Sequence, residues 1–143
     1  MRVLIVDGHS VIFAWPELRK IHSRRGVLAR DHLVKALTAY QDASGVHVVA
    51  VFDGRGDKPG DVTEPGGIQI FYSSASQTAD DIIERLVAKY AGQHDITVVT
   101  NDSLEQQTVI TFGGSAMSAE SLRDLLGEAD ADLQRRIKRQ NRD

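Results

Sequence analysis

Apolar positions along the chain fall into short unbroken runs and longer helical stripes. Arg2 to Val6 (RVLIV) ends at Asp7-Gly8, His47 to Phe52 (HVVAVF) at Asp53-Gly54, and Ile96 to Thr100 (ITVVT) at Asn101-Asp102. Runs this apolar and this rich in β-branched residues predict strands covered on both faces. Between them, Val27 to Asp42 puts Leu28, Leu33, Leu37 and Tyr40 on one broad helical face before Ser44-Gly45. Thr78 to Tyr90 is the clearest helix, with Ala79, Ile82, Ile83, Leu86, Val87 and Tyr90 recurring at i, i+3, i+4, i+7, i+8 and i+11. Leu104 to Phe112, stopped by Gly113-Gly114, predicts another. Ser118 to about Arg139 predicts a last one, with Leu122, Leu125, Leu126, Ala129, Leu133 and Ile137 inward. Gly54 to Gly67 holds five glycines and two prolines and predicts a long mobile loop before a strand at Ile68 to Tyr72.

Strands alternating with helices imply an α/β fold with a mostly parallel sheet and helices on both faces. Ligands bind such sheets beyond the carboxyl ends of the strands. Asp7, Asp53 and Asp102 stand at those ends. Asp80 and Asp81, which open the clearest helix, join them if the preceding strand is parallel to the others. Carboxylates crowded in one cleft repel unless a cation neutralises them, and oxygen-only ligation favours Mg²⁺ or Mn²⁺. Plainer readings stand beside this one. Thr78-Ala79-Asp80-Asp81 is a sound helix start, with Thr78 as N-cap and negative charge in the first turn, and Asp-Gly after a strand is an ordinary turn. Capping leaves unexplained why three separate strands end in acids.

The chain has 143 residues, 41% of them hydrophobic, which suits one domain spanning 1–143 around one core. It has no cysteine, so thiolate metal sites, disulfides and cysteine nucleophiles are excluded, and a reducing, cytoplasmic setting is expected. No apolar run approaches the roughly 20 residues that cross a bilayer, and the start lacks the pattern of a secretory leader. The net charge of −3 is uneven: the basic tail at 134–143 carries five basic and one acidic side chain, a local +4 that leaves −7 for the rest. Arg19, Lys20, Arg24, Arg25 and Arg30, with His22, form a second basic cluster. Both suit nucleic acid, and both read equally as solvated faces.

Several chemistries fail on spacing. None of the five lysines follows a glycine, so there is no P-loop, and no serine sits in G-x-S-x-G. The five histidines are never within four residues of one another. A haloacid-dehalogenase-type phosphatase wants a second Asp two residues after Asp7, where His9 stands. Metal-dependent phosphodiester hydrolysis survives.

At these residues the sequence resembles the YacP-like branch of the NYN domains, within the PIN-like ribonuclease superfamily. The matching pieces are V-L-I-V-D-G with V-I-F-A-W-P-E-L (Val3 to Leu18), A-R-D-H-L (Ala29 to Leu33), V-V-A-V-F-D (Val48 to Asp53), T-A-D-D-I-I-E-R-L (Thr78 to Leu86), V-V-T-N-D-S-L-E-Q (Val98 to Gln106) and A-M-S-A-E (Ala116 to Glu120). The resemblance implies a PIN-like three-layer α/β/α sandwich and a metal-dependent endoribonuclease, some relatives of which act at the ribosome. Asp7 is similar to the family's first-strand acid, Asp80 to the acid opening the helix and Asp102 to the acid after the later strand. Asp81 and Asp53 match further acids, and Asp31 reads as a helix-surface residue. The family pattern D-G-Y-N is here Asp7-Gly8-His9-Ser10, and Ser10 offers a shorter side chain and a different donor set than Asn.

The expected partner is RNA and the expected cofactor Mg²⁺ or Mn²⁺, held by Asp7, Asp80 and Asp102, with Asp81 or Asp53 orienting the attacking water. Arg24, Arg25, Arg30, Arg55 and Lys58 are candidate phosphate contacts, with His9 and Ser10 beside the cleft. Trp15 is the candidate stacking residue, and equally a core residue. The rival reading, favoured by Ser10, is a PIN-like module that binds RNA or a ribosome without cutting.

Overall fold

The computed structural model describes residues 1–54, 67–141 and, as backbone, 60–63. The elements run β1 (Arg2–Asp7), α1 (Gly8–Ala14), α2 (Pro16–Arg24), α3 (Gly26–Ser44), β2 (His47–Phe52), β3 (Gly60–Thr63), β4 (Gln69–Tyr72), α4 (Ala79–Tyr90), β5 (Asp95–Val99), α5 (Ser103–Thr111), β6 (Ser115–Met117) and α6 (Ala119–Asn141). The sheet has the order β3-β4-β2-β1-β5-β6. Every pairing is parallel except β3 with β4.

Strand side chains point alternately to opposite faces, and both faces are covered. Leu4, Val6, Val48, Ala50 and Phe52 pack with Val11, Leu18, Leu33 and Leu37 from α1, α2 and α3. Ile5, Val49, Val51, Ile96 and Val98 pack with Ile82, Ile83 and Val87 of α4 and Val109 of α5. This is the expected three-layer sandwich, and it explains why the middles of β1 and β2 are apolar on both faces.

The differences from the sequence reading have local causes. The stretch 8–25, left unassigned, is two short helices broken at Trp15, whose extended backbone (φ −85°, ψ 116°) is what a residue before proline adopts, with Pro16 opening α2. The glycine-rich stretch from Gly54 to Gly67 contains a strand, β3, antiparallel to β4; its remainder, with Arg55 and Lys58, lies outside the described residues. β6 has three residues, too few to show a period. Leu28 is exposed, and α3 instead buries Ala29, Leu33, Leu37 and Tyr40. Leu133 and Ile137, expected inward, are exposed too, because α6 leaves the body after Ala129. The residues 134–141, which carry most of the basic tail, continue α6. Among the described residues no helix is long and apolar enough to cross a membrane.

From β1 the chain builds outward through β2 and β4, then returns to lay β5 and β6 on the other side. The topology therefore reverses between β1 and β5, and a crevice opens beyond their carboxyl ends.

Candidate active site

Asp7 is the last residue of β1 and only 7% exposed. Its Oδ2 accepts hydrogen bonds from Ser10 Oγ (2.8 Å) and Thr100 Oγ1 (3.3 Å). The same two hydroxyls accept from the loop after β5: Asn101 N donates to Ser10 Oγ (3.1 Å) and Asp102 N to Thr100 Oγ1 (3.2 Å). Ser10 thus ties the acid of β1 to the acid-bearing loop across the switch point. Gly8 lets α1 start directly above β2, since a Cβ there would run into the Phe52 ring.

Asp102 begins α5 as its N-cap, its Oδ1 accepting from Leu104 N (2.9 Å) and Glu105 N (3.4 Å). At α4, Thr78 Oγ1 accepts from Asp81 N and Asp81 Oδ2 accepts from Thr78 N, both at 3.1 Å, a closed capping box. Of the adjacent pair Asp80 and Asp81, it is therefore Asp80 that faces the other acids. Its carboxyl is raised above the ordinary value by burial first, then by Asp7, Asp102, Glu84 and Asp53. Acids from β1, the turn after β2, α4 and the cap of α5 thus lie close enough to act on one another.

Asp53 is exposed at the end of β2, where His9 Nδ1 stands 3.7 Å from its carboxylate. Its turn is held against the end of β4: Gly54 N donates to Ser73 Oγ (2.8 Å) and Ser73 N to Phe52 O (2.9 Å). A Cβ on Gly54 would collide with the Ser73 carbonyl, so only glycine fits there.

Two acids escaped the sequence reading. Glu105 is 3% exposed and pushed up to about 8, by burial first and then by the neighbouring charges of Asp80, Glu84 and Asp102. Its Oε1 has no hydrogen-bond partner. The signal was ambiguous: Asp102-Ser103-Leu104-Glu105 reads as a capping box, but Thr100 Oγ1 already takes the Asp102 N–H. Glu84 follows Asp80 by one helical turn on the same face, a spacing that marks it once Asp80 is placed.

The donor set is all oxygen and crowded with like charge, which suits a hard divalent cation. Among the described residues no three histidine or acidic side chains stand close enough to grip one ion directly. A cation over these acids would have to be held partly through water, as Mg²⁺ commonly is.

The other candidates lie on α2 and α3 and at the junctions that precede them. Arg24 and Arg25 are exposed where α2 ends, and Arg30 is half-buried in α3 with its guanidinium 6.0 Å from the Tyr72 ring centroid. Asp31 is exposed on α3. Trp15 is 6% exposed, and its indole N–H donates to Ala119 O (2.8 Å). Its ring belongs to the core and is closed to a base.

A parallel α/β sandwich with acids massed over its switch point defines a domain of the nuclease-type PIN-like class. The family model described as "YacP-like NYN domain" matches residues 4–143, and the chain belongs to that family. YacP of Bacillus subtilis (strain 168) is 33% identical over 144 residues, covering 99% of this chain and 82% of that one. Two crystal structures of Rae1 (YacP) from Bacillus subtilis share the fold. One, of a mutant form, has a TM-score of 0.83 at 27% identity, covering 99% of this chain and 84% of the other. The second has a TM-score of 0.78 at 31% identity, covering 97% and 81%.

Proposed function

We propose that this protein is an endoribonuclease that hydrolyses RNA phosphodiester bonds with Mg²⁺ or Mn²⁺, and, following the family resemblance, that messenger RNA at the ribosome is a substrate. The observation that carries the cleavage reading is that the Ser10 and Thr100 hydroxyls join the Asp7 carboxylate to the loop bearing Asp102, acids from distant parts of the sequence. Asp7, Asp80 and Asp102 would hold the ion, directly or through water. A bound divalent ion supplies a lowered water pKa and neutralises charge developing on the phosphate. Ser10 and Thr100 keep the Asp7 carboxylate in one orientation. Asp53, exposed and free of a helix cap, orients the attacking water and takes its proton. Arg24, Arg25 and Arg30 offset the repulsion between the acids and the RNA backbone.

The test is incubation of purified protein with single-stranded and structured RNA in Mn²⁺, Mg²⁺ or EDTA. Cleavage to 5′-phosphate and 3′-hydroxyl ends, lost in EDTA and in Asp7→Asn or Asp102→Asn, is the expected result. RNA binding indifferent to metal, with no cleavage in any condition, would instead make the protein a binding module.

A further inference from the structure

Beside the acidic edge, and sharing Asp53 with it, lies a cavity of about 510 Å³ lined by His9, Phe13, His22, Val27, Arg30 and Asp53. Its composition is unusual for a surface. Phe13 is 40% exposed although its neighbours Val11 and Ile12 are core residues, and Val27 is 54% exposed. The Phe13 ring lies between two imidazoles, 4.5 Å from the His9 centroid at 37° and 4.8 Å from that of His22 at 61°. One wall is thus an aromatic cluster running from α1 to α2, with His9 tilted against Phe13 and His22 edge-on to it. Arg30, held near Tyr72, supplies a cation on another side, and Asp53 an acceptor.

Asp53 and His9 belong both to this cavity and to the acidic edge, so whatever fills the cavity is continuous with whatever lies over the acids. An aromatic wall with a cation and a hydrogen-bond acceptor at its margin matches a nucleobase, which offers a flat ring and polar edges. An apolar side chain would use the rings but find no partner role for Arg30 or Asp53 at the margin. A base can enter only if it is unpaired. We propose that this cavity is a subsite that stacks one unpaired RNA base on Phe13, flanked by His9 and His22, next to the scissile phosphate. The inference deepens the endoribonuclease reading and rests on it for the identity of the strand.

Binding is measured by anisotropy of a labelled single-stranded oligoribonucleotide, and of the same sequence as a duplex, in EDTA so that no cleavage intervenes. Phe13→Ala is expected to weaken single-strand binding about ten-fold or more and to leave duplex binding unchanged. Phe13→Trp should restore affinity and report the base by fluorescence quenching, whereas Phe13→Leu, which keeps the apolar bulk, should not. In Mn²⁺ the Ala variant should raise KM more than it lowers kcat. Unchanged single-strand affinity in Phe13→Ala, rescue by Leu as good as by Trp, or equal loss on duplex would overturn the subsite, as would a parent protein that binds no single-stranded RNA. Binding with the Phe13 dependence but without cleavage would keep the subsite and sink the nuclease reading. Cleavage with no Phe13 dependence would do the reverse.

Discussion

Helices α4 and α5 both open on the acidic edge, and both begin with aspartate in the capping region, yet they divide the work differently. At α4 two adjacent acids split it: Asp81 closes the capping box with Thr78, and Asp80, one residue earlier and about 100° away around the helix, leans toward Asp7 and Asp102. At α5 a single acid does both, since Asp102 caps the helix through Oδ1 while its charge acts on Asp80 and Glu105. A capping acid costs the fold nothing, because the helix dipole stabilises it. An acid facing other acids works against the fold until something cationic arrives. At α4 these opposing roles can be separated by mutation, and at α5 they cannot.

The largest expected effect tests the site side of that contrast. Asp80→Asn should lower Mn²⁺-dependent RNA cleavage at least about a hundred-fold while the protein melts no lower than the parent. Mn²⁺ should raise the melting temperature of the parent and not of this variant, as ligand linkage requires. An active Asp80→Asn would end the proposed role of this acid.

Asp102 sharpens the contrast. Asp102→Asn should abolish cleavage but keep the cap, since Asn caps as well as Asp, whereas Asp102→Ala should lose cleavage and about 1 kcal/mol of stability as well. Equal melting of the two variants would show that the cap does not matter.

Glu105 gives a smaller, pH-dependent effect. Folded, it keeps its proton up to about pH 8, while unfolded it releases it near its ordinary value of 4.5. Folding therefore takes up protons between those values, and this group's contribution falls as pH rises through that window. Glu105→Gln should leave stability unchanged at pH 4.5 and raise it by about 1–3 kcal/mol at pH 8, read as the difference between the two melting temperatures. A pH-independent difference would refute the buried, proton-holding carboxyl.

The smallest effect is at the other half of the α4 pair. Asp81→Ala opens the capping box and should cost about 1 kcal/mol, with cleavage per folded molecule unchanged. If Asp81→Ala lost activity as Asp80→Asn does, the division of labour at α4 would be refuted.

How much of this was legible varies by element. β1, β2 and β5 announced themselves because strands buried on both faces cannot afford a polar residue, and α4 because one buried face imposes its period. The helices α1 and α2 did not, being seven and nine residues long and broken at Trp15-Pro16, too short for a period to emerge. In the candidate site, Asp7, Asp102 and the pair Asp80-Asp81 were legible from strand ends and a helix start, though not which of the pair faces the others. Glu105 was hidden behind a capping pattern that Thr100 had already made redundant.

What the sequence determined by itself was local: the strands β1, β2, β4 and β5, where the long helices start, and that acids terminate several strands. Those features follow from backbone periodicity and turn chemistry, which involve only residues near in the chain. The tertiary structure alone decided which of two neighbouring acids faces the crevice and that Glu84 and Glu105 crowd it. It also decided that Phe13 is open while Trp15 is sealed against α6. Each of these depends on the rotation of a helix about its axis, and that rotation is set by packing against strands remote in sequence.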